Sequence, residues 1–536
     1  MSFRSSSADR HAPRTAQASA TRRGILALLG VSAAAVAVPA LGGCSSGGTK
    51  TPVQSGAPTG RAVHGGTVRL AFPGAGAAES LDPTAGQATC DLVRYGIVFD
   101  QLFVFERGAA RPSLATAAEP GTRGENCTLT LRQDVTWHDG SPFTADDVIH
   151  TFRHRASPDR PFPSELSQYF DLKAAEALDA HTVRVPTVRP VGDPATLFAG
   201  AGLYVIKDGA KDFTADSTLG TGPYRVTRFQ AGVETRLERH AAYWNGAGNA
   251  ERVTLLSIDD PQARVNAVKG DQADYASDVS YATAKSGVPG TGIQVRGGGE
   301  ALRTTYGFVL NVTRGVCADP RVRKAIRLGI DREALVRSVF LGFGEVAGDL
   351  FGAGAKYFPD SVPVPDRDVA RAEELLKAAG ATGKPFVVRT AEYEAGLNSS
   401  SELFVEQLRG LGLDATLVKV GVNEGFDPAG MKACDALAFP LGPFSLALTY
   451  TRSAAYPSLA FPDEELNEAV ATAISTTSET ERSTAWATAQ KVMLDRGNWV
   501  AWGRGDVLSV AKEKLTGVEG RESPKYPWLG KTGFVA

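Results

Sequence analysis

Hydrophobic and polar positions divide this chain into a short leader and a long body of alternating elements. Residues 1–23 are polar, with five arginines and one acid, Asp9, and residues 24–41 then run without a charge. Glycine, serine, threonine and proline dominate residues 45–58, which reads as a flexible tether. Ordered structure is expected from about Gly65. Residues 65–72 and 128–132 alternate apolar with polar, the period of a half-buried strand. Residues 92–105 are rich in apolar side chains and predict a helix. His138-Asp139-Gly140-Ser141-Pro142 predicts a turn, and Thr144 followed by Asp146 and Asp147 predicts a capped helix start. Asp319-Pro320 predicts another, with the aspartate as cap and the proline in the first turn. Helices are expected over 368–379 and 401–411, ending at Gly380 and Gly412, with a strand at 386–389 between them. Strands and helices alternate through most of the chain, which implies α/β lobes.

The leader has the order of a secretory signal: a basic stretch, an apolar stretch and a small-residue exit. Leu41-Gly42-Gly43-Cys44 resembles the bacterial lipobox, in which the cysteine thiol receives a diacylglyceryl group and the chain is cut just before it. Arg22-Arg23 ahead of the apolar stretch resembles a twin-arginine motif, and the general secretory route also accepts such a pair. The competing reading is a permanent membrane helix. At 18 residues the stretch approaches that length, but alanine, glycine and valine dominate it and Pro39 interrupts its end. Cleavage before Cys44 leaves 493 residues with a net charge of −6. A mildly acidic chain has no electrostatic reason to seek nucleic acid. At this length two or three lobes are expected rather than one core.

Chemistry-bearing patterns are few. No Gly-x-Ser-x-Gly elbow, P-loop or His-Glu-x-x-His occurs, so no enzyme is expected and no cofactor is implied. Glycines 342, 344 and 348 have the spacing of a glycine-rich turn, not of a dinucleotide loop. His150 and His154 stand four apart on a predicted helix, but no third ligand is near, so no metal is expected. With Cys44 set aside, four cysteines remain: Cys90, Cys127, Cys317 and Cys434. An even number in an exported protein suggests disulfides, and proximity favours Cys90 with Cys127 and Cys317 with Cys434. Four separate buried thiols are the alternative.

Several segments, taken in order, resemble the large extracellular solute-binding proteins of ABC importers, in the cluster that takes up peptides, nickel and some oligosaccharides. They are Glu79-Ser80-Leu81-Asp82-Pro83, then residues 129–148 around Trp137-His138-Asp139-Gly140, then Gly220-Thr221-Gly222-Pro223-Tyr224 and Tyr243-Trp244-Asn245. Asn311, Asp319-Pro320-Arg321-Val322-Arg323 and Gly329-Ile330-Asp331-Arg332 follow. The resemblance runs from about Gly65 to the C-terminus. It implies a two-lobed, periplasmic-binding-protein-like (Venus flytrap) α/β fold with an extra subdomain in the first lobe. Residues 1–43 are then the signal peptide, 44–61 the tether, 62–304 lobe I with its subdomain at about 110–200, 305–502 lobe II, and 503–536 the return to lobe I. The implied molecule is a monomeric receptor on the outer face of the membrane. It captures a peptide-like or oligosaccharide-like solute and passes it to ABC permease subunits. A lipoprotein of the same fold serving in signalling or assembly is the alternative.

By family position, Glu79 borders the cleft, Tyr306, Phe308 and Asn311 lie on the first crossing between lobes, Trp502 and Arg504 on the return, and Phe444 in a loop facing the solute. Aromatic side chains at such places either stack on flat groups or pack in the core, and the residues alone leave both open. Arg504 is expected to pair a carboxylate. One departure stands out. Peptide-binding members carry an acid in the loop after the strand near 436–441, and here residues 440–448 hold none. A blocked peptide, an oligosaccharide or another neutral solute fits that loop better than a free α-amine.

Overall fold

A computed structural model describes residues 54–536 apart from 56–57, 59, 87, 158–164, 201, 289 and 522. Cys44 and the leader lie outside the described residues. Two large sheets carry the fold. The first has eight strands in the order Gln54–Ser55, Ile293–Gly297, Leu508–Lys512, Tyr275–Ala276, Thr67–Phe72, Arg252–Ser257, Glu234–Arg239 and Tyr224–Gln230. Its centre pairs Thr67–Phe72 in parallel with Arg252–Ser257, placing Val68 beside Val253 and Leu70 beside Leu255. These four side chains are buried, while Arg69 and Thr254 face the other way, so the period of two read from the sequence is the period of burial. Helix Thr89–Val98 covers this core with Val93, Ile97 and Val98.

The second sheet has six strands: Gly344–Val346, Trp499–Gly505, Thr304–Leu310, Ala436–Leu441, Pro385–Ala391 and Asp414–Val420. The chain enters it from the first sheet just before Thr304 and leaves it just after Gly505. The entering and leaving strands pair antiparallel, with a register shift between Tyr306 and Gly307. A β-carbon on Gly307 would lie 2.8 Å from the Val500 carbonyl oxygen, so the bulge admits glycine and nothing larger. All seven residues of Thr304–Leu310 are buried.

Between the first and last strands of the eight-stranded sheet the chain inserts a subdomain. It is a four-stranded sheet, Ala115–Pro120, Asn126–Leu131, Thr182–Pro186 and Glu176–Asp179, with helix Ala145–Arg155. Thr144 caps that helix, and its backbone N–H donates to Asp147 Oδ2 at 2.8 Å. Trp137 is fully buried and donates from Nε1 to the same carboxylate oxygen at 3.1 Å, while Asp147 Oδ1 accepts from the Asp208 backbone N–H at 2.8 Å. In chain order the subdomain is an insertion into the first lobe. Its apolar core nevertheless continues into the second, where Leu197 and Tyr169 share one cluster with Leu446, Tyr450 and Trp499.

Two of the sequence motifs meet at one buried carboxylate. Asp100 accepts from Thr221 Oγ1, Tyr243 Oη and Trp244 Nε1, each at 3.0 Å. Burial raises its pKa, and the three donors pull it back. The Asp319 and Asp331 motifs are likewise scaffold. Asp319 caps Pro320–Gly329, accepting from the Arg321 backbone at 2.8 Å, and Asp331 caps the next turn through Ala334 at 2.7 Å. From the first of these helices, Arg327 reaches four carbonyl oxygens, those of Met493, Leu494, Gly497 and Trp499, at 2.8–3.1 Å. It thereby closes the C-terminal end of helix Glu479–Arg496 and the start of the returning strand.

Three expectations change. The helix expected over 92–105 ends at Val98, and Phe103–Glu106 is a strand whose Phe103 and Phe105 alternate into the core. Phe99 turns extended there so that Asp100 can meet its three donors. The helix expected from Ser401 begins at Leu397, because the Glu392 carboxylate accepts from the Gly396 and Asn398 backbone N–H groups and caps it early. Finally, Cys90, Cys127, Cys317 and Cys434 are all free buried thiols, not disulfides. Cys90 and Cys127 belong to different cores, as do Cys317 and Cys434, so each thiol packs as a small apolar group.

Candidate functional site

The candidate region is the seam beside the two crossing strands, Thr304–Leu310 and Trp499–Gly505, which are neighbours in the six-stranded sheet. Its floor is an aromatic cluster. Trp502 on the returning strand stacks on Phe340 with ring centres 4.7 Å apart, and Tyr306 on the entering strand lies 5.7 Å from Trp502. From the first lobe, Tyr281 at the head of helix Tyr281–Ser286 packs edge-on against Phe340 at 5.3 Å. Its hydroxyl meets that of Tyr306 at 3.3 Å, and Tyr306 donates to the Ala395 carbonyl at 3.1 Å. Desolvation holds both phenols well above the usual tyrosine range.

Beside this floor, four charged groups brace the crossing strands. Arg303 pairs with Glu345 at 2.9 Å and with Asp506 at 3.2 Å, and Arg504 pairs with the other oxygen of Glu345 at 3.1 Å. Arg504 Nη2 also donates to the Glu300 carbonyl at 2.9 Å. Its charge is therefore matched within the protein.

A second polar group lies deeper. The Lys525 ammonium, on the C-terminal segment, donates to the Tyr393 carbonyl and sits 4.0 Å from Glu394 Oε2. Lys525 is 5 % exposed and Glu394 6 %. The ammonium also lies 5.6 Å from the ring centres of both Tyr393 and Tyr526. Burial opposes the lysine charge, but the Tyr526 hydroxyl, Glu394 and Asp278 outweigh it and the pKa is raised. Burial likewise raises the Glu394 pKa, with Lys525 acting against it.

The residues expected at the cleft divide into two groups. Tyr306 and Trp502 come together in the aromatic floor, with Arg504 on the same strand as Trp502 in the charged brace. Phe444 is half-buried in the loop after Ala436–Leu441 and packs against the core shared with the subdomain. Glu79, Phe308 and Asn311 are committed elsewhere. Glu79 is buried in the first lobe, accepting from Arg94 Nη2 at 2.8 Å and from Ser257 Oγ. Phe308 is stacked on Phe404 at 3.8 Å in the helical core of the second lobe. Asn311 donates to the Cys434 carbonyl at 3.1 Å and accepts from Thr313. The two helical histidines also turn to protein partners: His150 Nε2 lies 3.0 Å from the Ala210 carbonyl, and His154 faces Thr84.

Residues 109–441, more than half of the chain, match bacterial extracellular solute-binding proteins, family 5 Middle. The chain belongs to that family. A dipeptide-binding protein of Pseudomonas aeruginosa is 24% identical over 409 residues, covering 69% of this chain and 75% of the relative. A glutathione-binding protein of Salmonella typhi is 22% identical over 419 residues, covering 74% and 80%. Among solved structures, the ABC transporter-associated periplasmic binding protein DppA of Helicobacter pylori, in complex with the peptide STSA, superposes with a TM-score of 0.74 at 18% identity. It covers 88% of this chain and 99% of that one. The fold is thus the two-lobed one of periplasmic binding proteins.

This family 5 protein is a binding protein rather than an enzyme, and its family is extracytoplasmic. No helix among the described residues is long and apolar enough to cross a membrane. In a two-lobed binding protein the seam described above is where contacts from both lobes meet. Its most buried charged members, Lys525 and Glu394, were missed by sequence reasoning. The one legible signal was a lysine set among Pro524, Tyr526, Pro527 and Trp528, an apolar and stiff context for a charge.

Proposed function

We propose that this protein is a lipid-anchored receptor that captures a peptide-like solute between its lobes and delivers it to an ABC importer. The observation that carries the solute class is family membership together with relatives named for dipeptides and glutathione. The anchor is supported by Leu41-Gly42-Gly43-Cys44 behind an uncharged apolar stretch. Tyr306, Phe444, Trp502 and Arg504 are the side chains proposed to border the solute. Lobe I is proposed to span 62–304 with the return from 503, and lobe II 305–502. The acid-free loop at 440–448 favours a solute whose amino end is blocked or neutral.

Native mass spectrometry of the unboiled mature protein tests the solute class. Co-purified masses differing by amino-acid residues are expected, and a ladder spaced by hexose would replace peptides with oligosaccharides. Cys44→Ala tests the anchor: release to the medium, or an unprocessed precursor, is expected. Unchanged lipid labelling and processing would refute it.

A further inference from the structure

Two kinds of charged contact hold the seam, and they differ in what a lobe movement does to them. Arg303, Glu345, Arg504 and Asp506 all sit on or beside the crossing strands. A rigid rotation of the lobes about those strands leaves their contacts largely in place. Lys525 and Glu394 lie off the strands. Lys525 belongs to a segment that returns to the first lobe, where Leu529 is buried in the core of the eight-stranded sheet and Trp528 bridges Glu519. Tyr393 and Glu394 follow strand Pro385–Ala391 of the second lobe. The ammonium–carbonyl and ammonium–carboxylate contacts therefore join the two lobes directly.

We propose that Lys525, the Tyr393 carbonyl and Glu394 form a latch that sets how often the lobes stand closed. The chemistry fits a device that makes and breaks. Apart, each charged group is hydrated by water. Together they are nearly dry, and each offsets part of the cost of burying the other. Removing one partner leaves a buried charge uncompensated in the closed arrangement and costs nothing in the open one. Removing both charges lifts that penalty. The asymmetry distinguishes a latch from a passive contact. Asp278, Tyr281, Thr304, Tyr306 and Tyr526 face the same pair and are common to all the variants below. The latch rests on the two-lobe reading of the function but not on the class of solute.

The test is single-molecule energy transfer on the purified mature protein without added solute, with dyes at R228C in the first lobe and V418C in the second, both exposed positions. Lys525→Met and Glu394→Gln should each raise the open-to-closed ratio at least fivefold. The double variant K525M/E394Q should raise it by less than the larger single change. Glu394→Gln is the gentler substitution and keeps the test open if Lys525→Met folds poorly. Ratios within twofold of wild type in both single variants would overturn the latch. So would a double variant equal to the product of the singles, or a wild-type protein that shows only the open distance. A protein that shows the coupled shift yet binds no peptide would remove the peptide reading and leave the latch standing.

Discussion

Arg327→Met is the most informative single substitution in the second lobe. The guanidinium is 6 % exposed and donates four hydrogen bonds to carbonyl oxygens, with Asp349 3.7 Å away. A hydrogen bond from a charged group contributes about 1.5–3 kcal/mol, which summed naively gives roughly 6–12 kcal/mol. Methionine also removes the cost of burying the charge, and the burial cost is large enough to lower the arginine pKa. A net loss of about 3–5 kcal/mol remains, because the buried carbonyls at this helix end lose their charged donor, although Met493 keeps the Gly497 N–H at 3.1 Å and Gly497 keeps Arg323 Nε at 3.3 Å. For a lobe of this size the corresponding transition should fall by about 10 °C in calorimetry. Arg327→Lys separates charge from geometry. Its three donors point tetrahedrally from one nitrogen and cannot serve four carbonyls spread along a helix end, so at least half of the loss should persist. A transition within about 2 °C of wild type in Arg327→Met would show that the helix end is satisfied some other way.

Phe308→Ala should cost about 3–5 kcal/mol of stability, and Phe308→Leu about 1 kcal/mol, with solute affinity by calorimetry unchanged in the leucine variant. Weaker binding there would return Phe308 to the cleft. The His138 imidazole is held neutral, its pKa lowered to about 4 chiefly by burial, with His240 and Arg225 adding to the shift and the Gly222 carbonyl opposing it. Below pH 6.5 the unfolded chain takes up a proton that the folded chain refuses. Stability should therefore be intact above that pH and fall by about 3 kcal/mol as the pH drops toward 4. In His138→Gln, urea unfolding across that range should lose much of the slope, and a wild-type slope would refute the assignment. Glu79→Gln should weaken the first lobe through the loss of its Arg94 ion pair while leaving solute affinity within twofold, as titration calorimetry can check.

Local chemistry was the legible part of this fold. Thr144, Asp319, Asp331 and Asp368 announce helix starts because a cap is a contact between near neighbours. The two-lobed α/β class was legible as well, through motifs that appear in family order. What was lost is long-range. Asp100 meets partners more than 120 positions away, and Lys525 reaches a carbonyl 132 positions away, so neither environment has a local signature. Family position placed Glu79 beside the cleft and Phe308 and Asn311 on the first crossing, but it could not see Arg94, Phe404 or the Cys434 carbonyl waiting for them. The four cysteines failed for the same reason. Proximity along the chain is a poor guide when consecutive segments feed different cores.

The two crossing strands pair along their length, and that shapes the motion they permit. Two separate tethers would let the lobes wander in every direction. A hydrogen-bonded ribbon resists shear within its own plane, because shear would break the ladder, and yields to bending across it and to twist. The bulge at Tyr306–Gly307 is held inside the wider sheet, since Thr305–Leu310 also pairs without a shift with Ala436–Leu441, so bending falls to the two adjoining connections, residues 298–303 and 506–507. The lobes are thereby restricted to something near a single degree of freedom. Grooves that meet once around a solute will meet in the same register every time they close.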